Sequence, residues 1–184
     1  IGDVTGKGIP ASLFMSKVSG AFKFLASQDK HPAETLSDLN MKLTREAATP
    51  TFVTIFYCVF DTGKRVMKFA SAGHPPILYL AKDSSSRFLD TEEGLPLGMM
   101  EAAYVGNQIS YSKGDIFVFY TDGVTEARDG HSKMYGPDRL VSVAQRNRES
   151  SCQDILNAIE EDVRRFEPKS RQHDDLTLIV IKAT

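Results

Sequence analysis

The chain of 184 residues carries 22 Lys plus Arg against 24 Asp plus Glu, a net charge of −2, with 41% hydrophobic and 25% charged residues. One globular domain is expected from that length, at roughly 150 residues per domain, able to bury about 70% of its unfolded surface; a disordered or collagen-like chain is excluded. No basic block is present to neutralise a phosphate backbone or an anionic membrane, so no nucleic acid and no membrane contact is expected.

Cys58 and Cys152 stand far apart and lack a C-x-x-C spacing, which argues against a zinc site and a secreted disulfide framework and points to a reducing cytoplasm. The longest purely apolar runs, such as Leu178 to Ile181, fall far short of the ~20 residues of a transmembrane helix. The opening Ile1-Gly2-Asp3 has no initiating Met and leads straight into a motif, so the sequence is expected to be cut from something longer.

After Gly2-Asp3-Val4-Thr5-Gly6-Lys7-Gly8, Pro10 suits a first helical turn, and Phe14, Val18, Ala21, Phe22 and Leu25 form one face of a helix over about 9–27. Pro32 opens a second helix, striped by Leu36, Leu39 and Leu43 and ending before Thr49-Pro50. The period then changes. Residues 51–60 alternate Phe52, Phe56, Cys58 and Phe60 with Val53, Ile55, Tyr57 and Val59, a strand apolar on both faces. Asp61 to Lys64 is a turn, followed by strands at about 65–72, 76–81 and 86–90, a loop through Gly94-Leu95-Pro96-Leu97-Gly98, and strands at about 104–110 and 115–121. Helices are expected at about 137–147, opened by Pro137, and 152–166, opened by Ser151 and closed by Pro168; the last strand is Leu176 to Lys182.

Strands apolar on both faces must be covered on both, whereas an antiparallel sheet usually has one wet face. The economical arrangement is an α+β fold, a four-layer α-β-β-α sandwich of two antiparallel sheets flanked by helix pairs. Three aspartates occupy matching places: Asp3 at the end of an entering strand, Asp122 just after the strand 115–121, and Asp174 just before the last strand. If the last two strands are antiparallel neighbours, one rim of the sheet brings Asp122 and Asp174 together. Carboxylates gathered on a rim repel unless cations compensate, and all-oxygen ligation points to Mg²⁺ or Mn²⁺.

Gly2 to Gly8, Ser71-Ala72-Gly73-His74-Pro75-Pro76, Leu95-Pro96-Leu97-Gly98, Thr121-Asp122-Gly123-Val124-Thr125-Glu126-Ala127 and His173-Asp174-Asp175-Leu176-Thr177, in that order, resemble the metal-dependent protein phosphatase 2C superfamily, in its bacterial branch of stage II sporulation protein E and sigma-factor regulators. The resemblance covers essentially all 184 residues. It implies a serine/threonine phosphatase domain with two Mn²⁺ or Mg²⁺ ions, hydrolysing phosphoserine or phosphothreonine by direct attack of an activated water. It further implies that Asp3 bridges the ions, that Val4 offers its backbone carbonyl, and that Asp122 and Asp174 complete the coordination. The implied substrate is a phosphorylated protein, of the class of anti-sigma-factor antagonists. Thr5 stands where eukaryotic members carry a His, and the family's first strands, with an upstream Gly-Gly-Asp, would precede Ile1.

Plainer readings stand beside these. Asp122 alone would be a turn residue; Gly2 to Gly8 lacks the spacing of a nucleotide-binding loop; His74 between Gly73 and Pro75 reads as structural. His173 could lie near the site or in an exposed loop, Asp175 could support a ligand or cap the turn, and Met99-Met100 could be a flap or packing. The alternative to an enzyme is a catalytically inactive interaction module of the same fold. A sheet edge left open by missing strands is expected to self-associate and to leave the fragment with weak or no activity.

Overall fold

The computed structural model describes residues 1–45, 51–89, 94–167 and 175–184. The chain divides into two compact units, one of Ile1–Pro76 with Asp90–Ser110, the other of Ile77–Leu89 with Tyr111–Thr184.

The first unit contains β1 (Gly2–Val4), α1 (Ile9–Ala26), α2 (Pro32–Arg45), β2 (Val53–Asp61), β3 (Val66–Ala72) and β6 (Asn107–Ser110). Its four strands form an antiparallel sheet in the order β1-β2-β3-β6. The leucine stripe of α2 packs as its spacing predicts: Leu36, Leu39 and Leu43 are buried with Val53, Ile55, Ala70, Ala72 and Leu97. Each such side chain contributes about 1.5–3 kcal/mol on leaving water. The expected face of α1 also meets this core, with Val18 buried and Phe14, Ala21, Phe22 and Leu25 packed against it. The ring of Phe22 stands edge-on to Tyr57 at 4.9 Å between centroids. A buried Asn40 ties α2 to the 98–102 loop: its side-chain carbonyl accepts from the Gly98 N–H at 2.8 Å and its amide donates to the Met100 carbonyl at 2.9 Å. The Met99 and Met100 side chains are exposed, so the anchoring in this segment is by backbone rather than by apolar packing.

The second unit contains β4 (Ile77–Leu80), β5 (Ser86–Leu89), β7 (Ile116–Tyr120), α3 (Asp122–Thr125), α4 (Pro137–Arg146), α5 (Cys152–Phe166) and β8 (Leu178–Lys182). Its sheet, also antiparallel, runs β5-β4-β7-β8. Leu140, Val143 and Ala144 of α4 and Ile155, Ile159 and Val163 of α5 close over Leu78, Leu80, Val118 and Tyr120. Ser151 caps α5 as expected, its side chain accepting from the Asp154 N–H at 3.2 Å.

The α+β class with two antiparallel sheets and accompanying helices agrees with the sequence reading. Three details differ. Residues 104–106 are not strand: Tyr104 instead turns inward and donates its hydroxyl to the Leu95 carbonyl at 2.8 Å. Burial on both faces holds for β7, but Val59 of β2 and Ile179 and Ile181 of β8 are exposed, because in β8 only the alternate residues Leu178 and Val180 meet the helix-covered core. And a short helix, α3, begins at Asp122, where the sequence places no helix. Among the described residues no helix is long and apolar enough to cross a membrane, and Cys58 and Cys152 are both free thiols.

Candidate active site

In the first unit the candidate ligands Asp3 and Val4 lie on β1, a three-residue strand at the sheet edge. Its register pairs Asp3 with Thr54 and Val4 with Val53. Ile1 and Phe56 exchange hydrogen bonds in both directions, at 2.9 and 3.1 Å, and the Thr5 N–H donates to the Phe52 carbonyl at 3.0 Å. Antiparallel ladders alternate, so positions 1, 3 and 5 face β2, and Val4 turns its carbonyl away from β2 toward the open edge. Asp3 is exposed beside it. A carboxylate and an outward carbonyl on adjacent residues are hard oxygen donors suited to Mg²⁺ or Mn²⁺. The donor chemistry of Asp3 and Val4 therefore fits the expected role.

Thr5 ends the strand with its side chain. Its hydroxyl accepts from the Phe52 N–H at 3.2 Å and donates to the Phe52 carbonyl at 3.0 Å. The Thr5 hydroxyl is thus fully engaged by backbone. Next to Asp3, the Thr54 hydroxyl lies 3.4 Å from the Asp3 carbonyl and 3.0 Å from Nδ1 of His74. His74 is buried in the turn after β3, consistent with the structural reading of that residue.

In the second unit, β7 and β8 are antiparallel neighbours with Tyr120 opposite Leu178, as the rim argument required. Thr121 stitches the rim together. Its hydroxyl donates to the Asp175 carbonyl at 3.2 Å and accepts from the Thr177 N–H at 3.1 Å, while its own N–H donates to the Thr177 carbonyl at 3.2 Å. Asp122 follows directly, half-buried in the first turn of α3. A Cβ on Gly123 would lie 2.4 Å from the Asp175 carbonyl oxygen, so only glycine allows the two segments to approach this closely. The rim therefore sets Asp122 beside the residue that follows Asp174. Asp174 and His173 themselves lie outside the described residues. Among the described residues no three His, Cys, Asp or Glu side chains gather as a metal site.

Thr54 and Thr121 carry much of this positioning and were not singled out from the sequence for it. The available signal was a hydroxyl placed among buried apolar positions, which must find a partner.

Two antiparallel sheets with accompanying helices are the fold this chain shares with solved phosphatase-domain structures. The structure of the SiaA-PP2C domain of Pseudomonas aeruginosa matches all of this chain and 74% of its own, at a TM-score of 0.84 and 17% identity. The PP2C phosphatase domain structure of SpoIIE from Bacillus subtilis matches 98% of this chain and 52% of its own, at a TM-score of 0.71 and 17% identity. The family model for Stage II sporulation protein E (SpoIIE) matches residues 1–184, and the chain belongs to that family. Phosphoserine phosphatase RsbU of Bacillus subtilis (strain 168) is 34% identical over 184 residues, covering 99% of this chain and 54% of the relative. The chain thus spans about half the length of that relative.

Proposed function

We propose that residues 1–184 form one Mg²⁺- or Mn²⁺-dependent serine/threonine protein phosphatase domain. The observation that carries this reading is the placement of Asp3 and the outward Val4 carbonyl at the open end of β1, in a chain that matches the family throughout. The similarity to a relative named phosphoserine phosphatase supports the same chemistry.

A pair of divalent cations would supply charge neutralisation at the phosphoryl oxygens and a water made acidic enough to attack near neutral pH. Asp3, the Val4 carbonyl, Asp122 and Asp174 are the residues proposed to hold them. The protein's own contribution is placement. Thr5 and Thr54 fix the strand that carries Asp3, while Thr121 and Gly123 set the rim that carries Asp122. The Thr5 hydroxyl is committed to Phe52, which makes it a strand clamp rather than the proton donor to the leaving group.

The proposed substrate is a phosphorylated partner protein of the anti-sigma-factor-antagonist class, in the cytoplasm, where two free thiols are at home. Self-association belongs to the same proposal and is supported by the exposed Ile179 and Ile181 on β8, which ends its sheet. A monodisperse monomer by light scattering at micromolar concentration would contradict it.

Hydrolysis of p-nitrophenyl phosphate with Mn²⁺ or Mg²⁺ by the complete phosphatase domain tests the activity against an Asp122→Asn variant of the same protein. Turnover by the wild type, abolished in the variant and by chelation, is expected. Equal rates in the two proteins would overturn the reading and leave the inactive interaction module.

A further inference from the structure

The Ser71-to-Pro76 motif supplies no proposed ligand, yet its turn is held by several specific contacts. The Ser71 hydroxyl donates to the His74 carbonyl at 3.2 Å and accepts from the His74 N–H at 3.3 Å, closing the turn on itself. Gly73 sits at φ 68°, and a Cβ there would lie 2.9 Å from the Pro96 ring. The Gly-His-Pro turn is thereby locked against the Leu95-to-Gly98 loop. Gly73 also bridges to Ile55 of β2, which brings the turn alongside the strand that carries Thr54. As a result His74 is only 5% exposed, with Nδ1 at 3.0 Å from the Thr54 hydroxyl.

Thr54 lies directly opposite Asp3 in the ladder, so the two side chains leave the same face of the sheet. A threonine hydroxyl has one proton and can also accept. When it donates to the Asp3 carbonyl, Nδ1–H of His74 donates to it; when it donates to Nδ1, the ring acts as acceptor. In both arrangements the imidazole selects the rotamer of a side chain with two heavy branches at Cβ, fixed against the backbone of Asp3.

A three-residue edge strand holds itself weakly, having one neighbour and few ladder bonds. Thr5 clamps its end. We propose that His74 is a positioning residue for the metal site: by fixing Thr54 it holds the Asp3 peptide, and with it the Asp3 carboxylate and Val4 carbonyl, in place for the cation. This rests on the reading of Asp3 and Val4 as ligands.

The test is calorimetric titration of Mn²⁺ into the wild type, His74→Ala, His74→Asn, Thr54→Val and the double variant His74→Ala/Thr54→Val. Thermal melts and amide hydrogen exchange over residues 3–5 accompany it. Removing a group that orients a metal ligand typically weakens binding by about tenfold or more, and that loss is expected for His74→Ala and for Thr54→Val. Exchange at Asp3 to Thr5 should quicken in both while the helices keep their protection. Asn places its amide near the position of Nδ1 and should recover most of the affinity. Because one contact is broken in either single variant, the double variant should bind no more weakly than the worse single.

Unchanged Mn²⁺ affinity in a folded His74→Ala protein would overturn the proposal, as would losses in the double variant that add in full. If His74→Ala does not fold, His74→Asn against His74→Gln decides: Gln reaches toward Nε2 rather than Nδ1, so equal affinities in the two, or tighter binding by the Gln variant, would also overturn it. A wild-type protein that binds no Mn²⁺ removes the ligand reading itself, and this outcome is seen in a separate arm from failure of the His74 variants.

Discussion

The Thr5 hydroxyl takes over the last rung of the β1–β2 ladder from its own backbone carbonyl, accepting the Phe52 N–H at 3.2 Å and donating to the Phe52 carbonyl at 3.0 Å. Two bonds from one side chain end the strand and let the chain leave it just beyond the proposed ligands. Replacing Thr5 by Val keeps the shape and removes both bonds, at a cost of about 1–2 kcal/mol. Thr5→Ser should cost less than half of that. Urea denaturation measures the stability, and Mn²⁺ calorimetry should show weakened binding in the Val variant alone.

Gly123 gives a sharper steric prediction. A methyl group there would overlap the Asp175 carbonyl, which is backbone and has no rotamer to escape into. Gly123→Ala should destabilise the protein by about 1–3 kcal/mol through forced displacement of the rim. Since the same displacement moves Asp122, the proposed phosphatase activity of the complete domain should fall by more than the loss of folded protein explains. Activity corrected for folded fraction by circular dichroism checks this; full activity in the folded variant would contradict it.

Asp115 is 2% exposed and accepts three hydrogen bonds, from the Tyr79 hydroxyl at 2.6 Å, the Ser112 N–H at 2.7 Å and the Lys82 N–H at 2.8 Å. Burial, followed by this carboxylate, pushes the Tyr79 phenol well above its ordinary range. Asp115→Ala strands three donors and is expected to cost about 3 kcal/mol, whereas Tyr79→Phe removes one donor and should cost about 1 kcal/mol. Chemical denaturation of the two variants should give that order, and its reversal would refute the account.

Asp162 of α5 receives the Arg139 guanidinium at 2.7 and 3.1 Å and the Tyr135 hydroxyl at 2.8 Å. The hydrogen bond from Arg139 lowers the Asp162 pKa first, with Tyr135 adding to it against the opposing effect of burial. A carboxylate pKa lower in the folded state than in the unfolded chain stabilises fully above the unfolded value of about 3.9, and that stabilisation is lost as pH falls through the folded value. Asp162→Asn should therefore lower stability at neutral pH and flatten its decline between about pH 5 and pH 2. Thermal melts of both proteins across that range test the sign.

The helices and most strands were legible in the residues because their signals are local. The Leu36, Leu39 and Leu43 stripe, the Ser151 cap and the uninterrupted apolar run of β7 each carry enough information in a short window to specify an element and its buried face. The candidate carboxylates were legible as well, since Asp3 and Asp122 sit at strand ends marked by glycine. What holds them was not. Thr54 opposite Asp3 depends on the β1–β2 register, and Thr121 against Asp175 depends on β8 lying beside β7, pairings between residues about 50 positions apart.

The contacts of Thr5 and His74 fall on the same side of that distinction. Composition, periodicity and motif order were sufficient for the α+β class and the antiparallel sheets, because both follow from residue chemistry and near neighbours. Tertiary structure alone assigned the Thr5 hydroxyl to the Phe52 backbone and brought the His74 ring to Thr54. A hydrogen bond needs its partners placed to within tenths of an ångström, and only the folded register of strands distant in sequence supplies that placement.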